Sequence, residues 1–455
     1  MHKISWLAAS RYKLVSAAMV SAIVTFSGAA FFVSSPTALA ASHTLYVGHG
    51  VTGNDSSCSA PGYNSVQTAV NAAGNNYTVY LCGAPFAEQV FVDKSITLTG
   101  DSTSGLTAVG TTFATTDAPF PAKFSNKTLF VPQALLVVAG ASTNAAVNYL
   151  TISGPMPGNG SCAEEEYGVL ALAGNLNMYG DQVTNIGDTN TSLSGCQFGV
   201  GIQVGREYWP PANFGADDTV NFAATATIKD VTVSGYDKNG ITVDGNGSAA
   251  TISDSTVTGG GTLAPFGPDV AQNGIQISRG AGGSVKDSSI SGNSYTGAGF
   301  ASSAGILLFG GCGDPLVTGV TLRDNTFAGN DVGIDMADYN KLCTAAPAAA
   351  TNDQASDNVL SDSAVTNISG LCDGSVACGG LQIGYQAGIA DVGNSDTVTD
   401  NELSGVGYQA QGTYNYKVSP AVFTQTGANA AFVAPVDAGG SFYDTNAKVK
   451  NNFWF

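Results

Sequence analysis

Histidine is nearly absent from this chain. Of 455 residues only His2, His43 and His49 carry imidazole, and the first lies in an N-terminal stretch of export-signal character. Imidazole chemistry, as general acid, general base or zinc ligand, is therefore poorly supplied. Charge is scarce too, at 11% Asp, Glu, Lys and Arg, and beyond residue 40 arginine occurs only at Arg206, Arg279 and Arg323. The charge present is mostly negative: 16 Lys and Arg against 34 Asp and Glu give a formal −18. Without the first 40 residues, 13 basic residues would face the same 34 acidic ones, a net −21. Such a surface repels nucleic acid and anionic membranes. Binding of an acidic polymer would require locally concentrated positive charge or a calcium bridge. No Cys-x-x-Cys occurs, and His43 and His49 lie apart from every cysteine pair, which argues against a zinc site. Long apolar stretches are confined to Leu14–Val33.

That stretch follows a basic start (His2, Lys3, Arg11, Lys13) and precedes Ala38-Leu39-Ala40, a small-residue cleavage pattern. Residues 1–40 read as a signal peptide and the protein as secreted, with no membrane contact after its removal. An uncleaved anchor is the alternative, because the run is long enough to span a bilayer.

What the chain does have is repetition. An aliphatic residue, a spacer and Asp recur at Ile228-Lys229-Asp230, Ile252-Ser253-Asp254, Val285-Lys286-Asp287, Leu322-Arg323-Asp324, Leu360-Ser361-Asp362 and Val398-Thr399-Asp400. A second phrase interleaves: Gly201-Ile202-Gln203-Val204, Gly240-Ile241-Thr242-Val243, Gly274-Ile275-Gln276-Ile277, Gly305-Ile306-Leu307-Leu308, Gly333-Ile334-Asp335-Met336 and Gly380-Leu381-Gln382-Ile383. Two short alternating phrases per period indicate a solenoid of β coils, each burying its apolar face on its neighbours. With 58 glycines and polar positions filled by Ser, Thr, Asn and Asp, the composition is that of strands and turns. The predicted fold is all-β: one right-handed parallel β-helix over 76–455, preceded by a segment 41–75 that is irregular to residue 63 and then forms a capping helix. The helix is expected over Ser65–Ala73, with Asn64 as N-cap and Val66, Ala69, Val70 and Ala73 inward. Long excursions are expected at 101–132, 155–166, 205–222, 259–272, 340–356 and 408–445, and the C-terminal Lys448-Val449-Lys450-Asn451 reads as a last coil.

All eight cysteines, Cys58, Cys82, Cys162, Cys196, Cys312, Cys343, Cys372 and Cys378, lie beyond the signal. An even count in an exported chain suggests disulfides. A solenoid brings nearby coils together, so pairing in sequence order (58–82, 162–196, 312–343, 372–378) is expected.

Several stretches resemble the secreted right-handed parallel β-helix repeat proteins of the pectin-lyase-like superfamily. These are Val66-Gln67-Thr68-Ala69-Val70-Asn71-Ala72-Ala73, Val79-Tyr80-Leu81-Cys82-Gly83, Glu88-Gln89-Val90-Phe91-Val92, Gly195-Cys196-Gln197-Phe198-Gly199, Lys238-Asn239-Gly240-Ile241-Thr242-Val243-Asp244-Gly245 and Ala271-Gln272-Asn273-Gly274-Ile275-Gln276. The resemblance covers roughly 64–455 and implies the fold more sharply than a reaction, since this architecture hosts lyases, hydrolases, esterases, epimerases and non-enzymes. Of the polygalacturonase blocks only Gly48-His49-Gly50 occurs, ahead of the first coil. The esterase and epimerase patterns are missing.

The remaining signal is positional. In Gly-Ile-x-Val the flanking residues point inward and the middle one outward. Gln203, Thr242, Gln276, Leu307, Asp335 and Gln382 should therefore form one outward ladder. Two places beyond the inner residue lie Arg206 and Arg279, separated by the coil that carries Asp244. Two coil spacings put them roughly 10 Å apart. They either present a guanidinium pair to a ligand's carboxylates or hydroxyls, or form an Arg206–Asp244–Arg279 ion-pair ladder. Tyr208, Trp209 and Phe214 follow in the 205–222 insertion and could stack on sugars or pack on the rod. The candidate ligand site is thus Arg206, Arg279, Asp244, Gln203, Thr242, Gln276, Asp335 and Trp209, and replacing both arginines by Ala is expected to abolish binding with the fold intact. The Asp of the first phrase reads as a turn cap rather than a calcium ligand. Calcium is nevertheless a possible cofactor, with Asp335 and Asp338, or Asp353 and Asp357, as candidates. The leading function is a non-catalytic scaffold binding an extracellular polysaccharide or cell-envelope glycan. The alternative is a polysaccharide-cleaving enzyme, a calcium-assisted lyase or glycoside hydrolase, with Lys238 or Arg279 as base.

Overall fold

The computed structural model describes residues 43–50, 53–108, 133–156, 166–187, 199–208, 220–263, 271–295, 303–342, 345–364, 386–409, 432–433 and 446–454. Each coil passes through three short strands, and corresponding strands of successive coils pair in parallel. Among the described residues this builds three sheets. Sheet 1 has 12 strands, from Thr44–Val47 to Lys448–Lys450; sheet 2 has 11, from Phe86–Ala87 to Phe453–Trp454; sheet 3 has 10, from Val90–Val92 to Phe432–Val433. The predicted β-helix is the architecture found.

The predicted interior row is present and longer than expected. Ile202, Ile241, Ile275, Ile306, Ile334 and Ile389 are register partners along sheet 3, none more than 1% exposed. Burying each aliphatic side chain contributes roughly 1.5–3 kcal/mol. The glycine that opens each phrase has a steric cause: a Cβ on Gly240 would collide with Val257, and one on Gly274 with Ile290, where sheet 2 turns into sheet 3.

The aspartate series follows from backbone conformation. Asp230, Asp254, Asp287, Asp324, Asp357, Asp400 and Asn451 occupy the corner between sheets 1 and 2 with φ between 52° and 61°. Among residues with a side chain, Asn and Asp tolerate this left-handed region best. The capping expected of these side chains is done instead by the polar residue that follows six of the seven; after Asp230 stands Val231, which has none to offer. Asn358 Oδ1 accepts from the backbone N–H of Asn325 (3.0 Å) and from its Nδ2 (3.1 Å), while Asn358 Nδ2 donates to Leu322 O (3.0 Å) and Asn401 Oδ1 (2.9 Å). Asn401 repeats this with Asn452, and Ser288 and Ser255 continue the ladder upstream. Asp181 ends it, accepting from Leu150 N and Tyr179 N. Each buried amide thus satisfies the coil before it, which keeps the corner from leaving polar groups stranded.

Two repeat assignments need correction. Leu360-Ser361-Asp362 belongs to sheet 2, where Leu360 pairs with Phe327 and Leu403. The left-handed corner of that coil is Ala355-Ser356-Asp357, disguised because its inward residue is only Ala. The partner of Asp335 on sheet 3 is Ala390, in strand Ala387–Val392; Gln382 lies outside the described residues.

The N-terminal end also departs from expectation. Thr44–Val47 is a strand that heads sheet 1 before the helix, so the stretch to residue 63 is not wholly irregular. The helix spans Val66–Ala72 and its N-cap is Ser65, whose hydroxyl accepts from Thr68 N, rather than Asn64. Glu88 reinforces this end from the next coil, accepting from Ser65 Oγ (2.9 Å), Val66 N (3.0 Å) and Gln67 N (3.1 Å). Val66, Ala69, Val70 and Ala73 join the core with Leu45, Val79 and Leu81, so the helix closes the first coil. The expected excursion from 101 contains a strand of sheet 2, Gly105–Thr107. The 205–222 insertion starts and ends as a two-stranded antiparallel stem, Arg206–Tyr208 against Val220–Phe222.

Cys58 and Cys82 form the expected disulfide, with S–S 2.04 Å. Cys312 is also disulfide-bonded; Cys162, Cys196, Cys343, Cys372 and Cys378 lie outside the described residues, as does the stretch 1–40.

Candidate groove on the outer face of sheet 3

Pointing outward on sheet 3 does not mean facing solvent. Gln133–Val138 and Glu166–Ala171 are buried on both faces, as continuous apolar runs such as Leu135-Leu136-Val137-Val138 require. Their outward residues Ala134, Val137, Tyr167 and Leu170 form a second apolar cluster with Val200. Where that cluster ends, a groove of about 380 Å³ begins, bounded by Tyr167 and Val200 at one end and Leu307 and Phe309 at the other. Its floor is the predicted ladder: Gln203, Thr242, Gln276 and Leu307 are consecutive register partners. Asp335 follows Leu307 in the same lane but lies one coil beyond the groove. Gln203 and Thr242 are 0% and 2% exposed, so the ladder is sunk rather than raised.

Polar contacts hold the floor rigid. Asn239 Nδ2 donates to Thr242 Oγ1 (2.9 Å) and Gln276 Oε1 (3.1 Å), and Asn273 Nδ2 donates to Asn239 Oδ1 (3.1 Å). Gln276 Nε2 reaches Ser278 Oγ (3.0 Å), which donates to Asp244 Oδ1 (2.7 Å). Gln203 commits its Nε2 to Gly205 O (2.7 Å) and leaves a buried Oε1 without a donor.

The arginines flank one end of the strands. Arg279 holds Asp244 through two contacts of 2.9 Å, Nε to Oδ1 and Nη2 to Oδ2. Arg206 Nη1 stands 4.0 Å from Asp244 Oδ2. The ion-pair ladder is therefore what forms, with the Asp244 side chain 0% exposed at its centre. Asp314, whose pKa is raised chiefly by burial, feels both Arg279 and Asp244. At the opposite flank Lys238 Nζ donates to Ala271 O (2.8 Å), and desolvation lowers its pKa to about 8. Trp209 lies outside the described residues. Asn239 and Asn273 were not among the predicted site residues, although each Asn-Gly pair recurs at one point of the repeat and could have been found there. Gly48-His49-Gly50 is remote from the groove: the His49 ring stacks on Phe86 at 4.4 Å.

Among the described residues no group of three or more His, Cys, Asp or Glu side chains is placed to hold a metal ion. Asp338 and Asp353 are buried carboxyls with pKa raised by desolvation to about 8 and about 9.

The family described as a right-handed beta helix region matches residues 219–453. No curated protein matches the chain. Among solved structures, the crystal structure of an alginate lyase from Paenibacillus sp. str. FPU-7 is similar, at 14% identity and a TM-score of 0.40, over 79% of this chain and 95% of that one.

Proposed function

The chain belongs to the right-handed β-helix family, and from that premise we propose that it is an exported scaffold whose groove on sheet 3 binds an extracellular polysaccharide or envelope glycan without cleaving it. The observation that carries this reading is the sunken lane of Gln203, Thr242, Gln276 and Leu307, whose side chains are fixed before any ligand arrives. Preorganised amides and hydroxyls at coil spacing suit a chain of hydroxyl-bearing units. Gln203 Oε1 is an unmet acceptor in the groove floor, and half-buried Leu307 and Phe309 add apolar contact. Three cations, Lys238, Arg206 and Arg279, line the groove, while the carboxylates that answer them, Asp244 and Asp314, stand outside its lining. This local excess of positive charge on an acidic chain favours sugars that carry carboxylates. The Cys58–Cys82 disulfide supports export.

Lys238 supports the second reading, cleavage by β-elimination. An amine with pKa near 8 inside a groove is partly neutral at mildly alkaline pH and can accept a proton. One experiment separates the two. Purified protein is incubated with polygalacturonate and alginate, with and without calcium, and assayed for retention and for unsaturated products absorbing in the ultraviolet. Retention without absorbance, weakened in Lys238→Met and Gln203→Ala, is expected. Absorbance that disappears in Lys238→Met would establish the lyase instead.

A further inference from the structure

Sheet 1 carries on its outer face, away from the groove, a patch of different character. Asn144, Asn175 and Thr225 are consecutive register partners, as are Ala146, Asn177 and Thr227. Their side chains form a lattice: Asn144 Oδ1 accepts from Asn175 Nδ2 (3.0 Å) and Asn177 Nδ2 (2.8 Å), and Thr225 Oγ1 reaches Asn175 Oδ1 (3.0 Å). Those bonds fix the amide planes of an exposed Asn144 and a half-buried Asn177 and engage neither Asn144 Nδ2 nor Asn177 Oδ1. At one margin a concavity of about 420 Å³ opens beside Ser142, Gly174, Asn175 and Thr225. At the other stand Tyr149 and Tyr179, 51% and 39% exposed, their rings edge-to-face with centroids 5.3 Å apart. They are two of the five large hydrophobic residues exposed among the described residues. The Tyr149 ring is seated rather than loose, because it lies where a Cβ on Gly180 would stand. Concavity and rings mark the two ends of one strand, Asn144–Asn148, with Tyr149 at the corner just beyond it, a span of roughly 17 Å at the usual strand rise.

The residues that form the lattice and the ring pair carry no charge; Lys229, the register partner of Tyr179, and Asp230, whose charge reaches Tyr149, stand at the margin. In a chain of formal charge −18, an uncharged face with aligned amides and exposed aromatic rings is complementary to a neutral polymer. Amides pair with hydroxyls, and ring faces cover the C–H faces of a sugar, since tyrosine offers an apolar body at little entropic cost. We propose that this face is a second glycan site, specific for neutral oligosaccharides and independent of the groove on sheet 3.

The probes are cellohexaose, laminarihexaose and maltohexaose, titrated calorimetrically into the full-length protein with polygalacturonate as the acidic comparison. At least one neutral hexaose should bind, undiminished by saturating polygalacturonate. Tyr149→Ala with Tyr179→Ala should weaken it by roughly tenfold or more, and Asn177→Ala should weaken it with the rings intact. Because Tyr149 occupies a left-handed position, Tyr179→Ala alone serves as the conservative variant if the double one unfolds by circular dichroism. The proposal is overturned if none of the three hexaoses binds at millimolar concentration, if polygalacturonate displaces the bound one, or if both tyrosine variants bind like the parent. Loss of polygalacturonate binding with neutral binding retained would count against the groove alone.

Discussion

Arg279 offers the sharpest test of how the rod tolerates charge. Its guanidinium makes two contacts of 2.9 Å to Asp244, whose side chain is 0% exposed and also receives Ser278 Oγ at 2.7 Å, with Arg206 at 4.0 Å. Arg279→Ala takes from a buried carboxylate its bidentate cationic partner, the closest charge that faces it. Breaking a buried pair from one side costs about 3–5 kcal/mol, because the remaining charge is left desolvated. Losing the longer, partly exposed contact from Arg206 to Asp244 should cost less than losing that of Arg279. The decisive variant is Asp244→Asn combined with Arg279→Ala: with the charge gone, most of the loss should return, giving a coupling of about 2 kcal/mol or more in a double-mutant cycle. Urea titration followed by circular dichroism measures all four corners of the cycle. A loss below about 1 kcal/mol for Arg279→Ala, or no recovery in the double variant, would show that solvent reaches Asp244 and that the desolvation reasoning fails. The same geometry corrects an expectation drawn from sequence: removing both arginines does not test ligand binding on an intact fold, because one of them neutralises the rod itself.

Four other outcomes are expected. Ile275→Ala should destabilise by about 2–5 kcal/mol in the same titration, whereas Gln276→Ala, on the opposite side of the strand, should cost far less; equal losses would invert the inside–outside assignment. Asn358→Ala removes four side-chain hydrogen bonds and should cost about 3 kcal/mol or more, while Asp357→Gly at the exposed left-handed position should change stability by less than about 1 kcal/mol. Burial raises the carboxyls of Asp181, Asp338 and Asp353 to about 8, about 8 and about 9. The native state then keeps protons that the unfolded chain sheds near its ordinary pKa of about 4, so this stability is complete below that pH and lost as pH rises towards 8–9. The urea midpoint should be higher at pH 5.5 than at pH 8.5, with a smaller difference in Asp353→Asn; the opposite order would refute the burial argument. Peptide mapping without reduction should recover 58–82, which the structure shows, together with 162–196, 312–343 and 372–378; links between the N- and C-terminal thirds would contradict local coil pairing.

The core was legible because its signal is periodic. Isoleucine two residues from a second apolar side chain, repeated coil after coil, has few other ways to bury itself, and every member from Ile202 to Ile334 sits in one row. The corner was half legible. Aspartate marked it, but for its backbone angle, and Ala355 hid one instance because a small inward residue carries no hydrophobic signature. The groove was the least legible part. Strand alternation gives which side chains leave the core; it does not say that Ala134, Val137, Tyr167 and Leu170 would build a second apolar layer outside it, or that Gln203 would be buried among polar partners. Those facts depend on what crosses over the sheet, and pairing across coils is not written in any one of them.

The corner between sheets 1 and 2 has a consequence for how such a chain can change. From Tyr149-Leu150 to Asn451-Asn452, nine successive coils turn it with two residues and no more. The connections leaving sheet 2 and leaving sheet 3 range from two or three residues to long stretches, such as that between Ser361 and Ala387. All the variable length therefore lands on the two borders of sheet 3, the sheet with the groove. One seam behaves as a hinge pin of fixed gauge, and the opposite face as the place where insertions accumulate. A single residue added at the seam would turn the next strand inside out. A dozen added beside sheet 3 would leave every ladder in register and alter only the walls above Gln203 and Gln276. New ligand preferences are thus accessible to this rod at almost no risk to its fold, provided that they arise on that side.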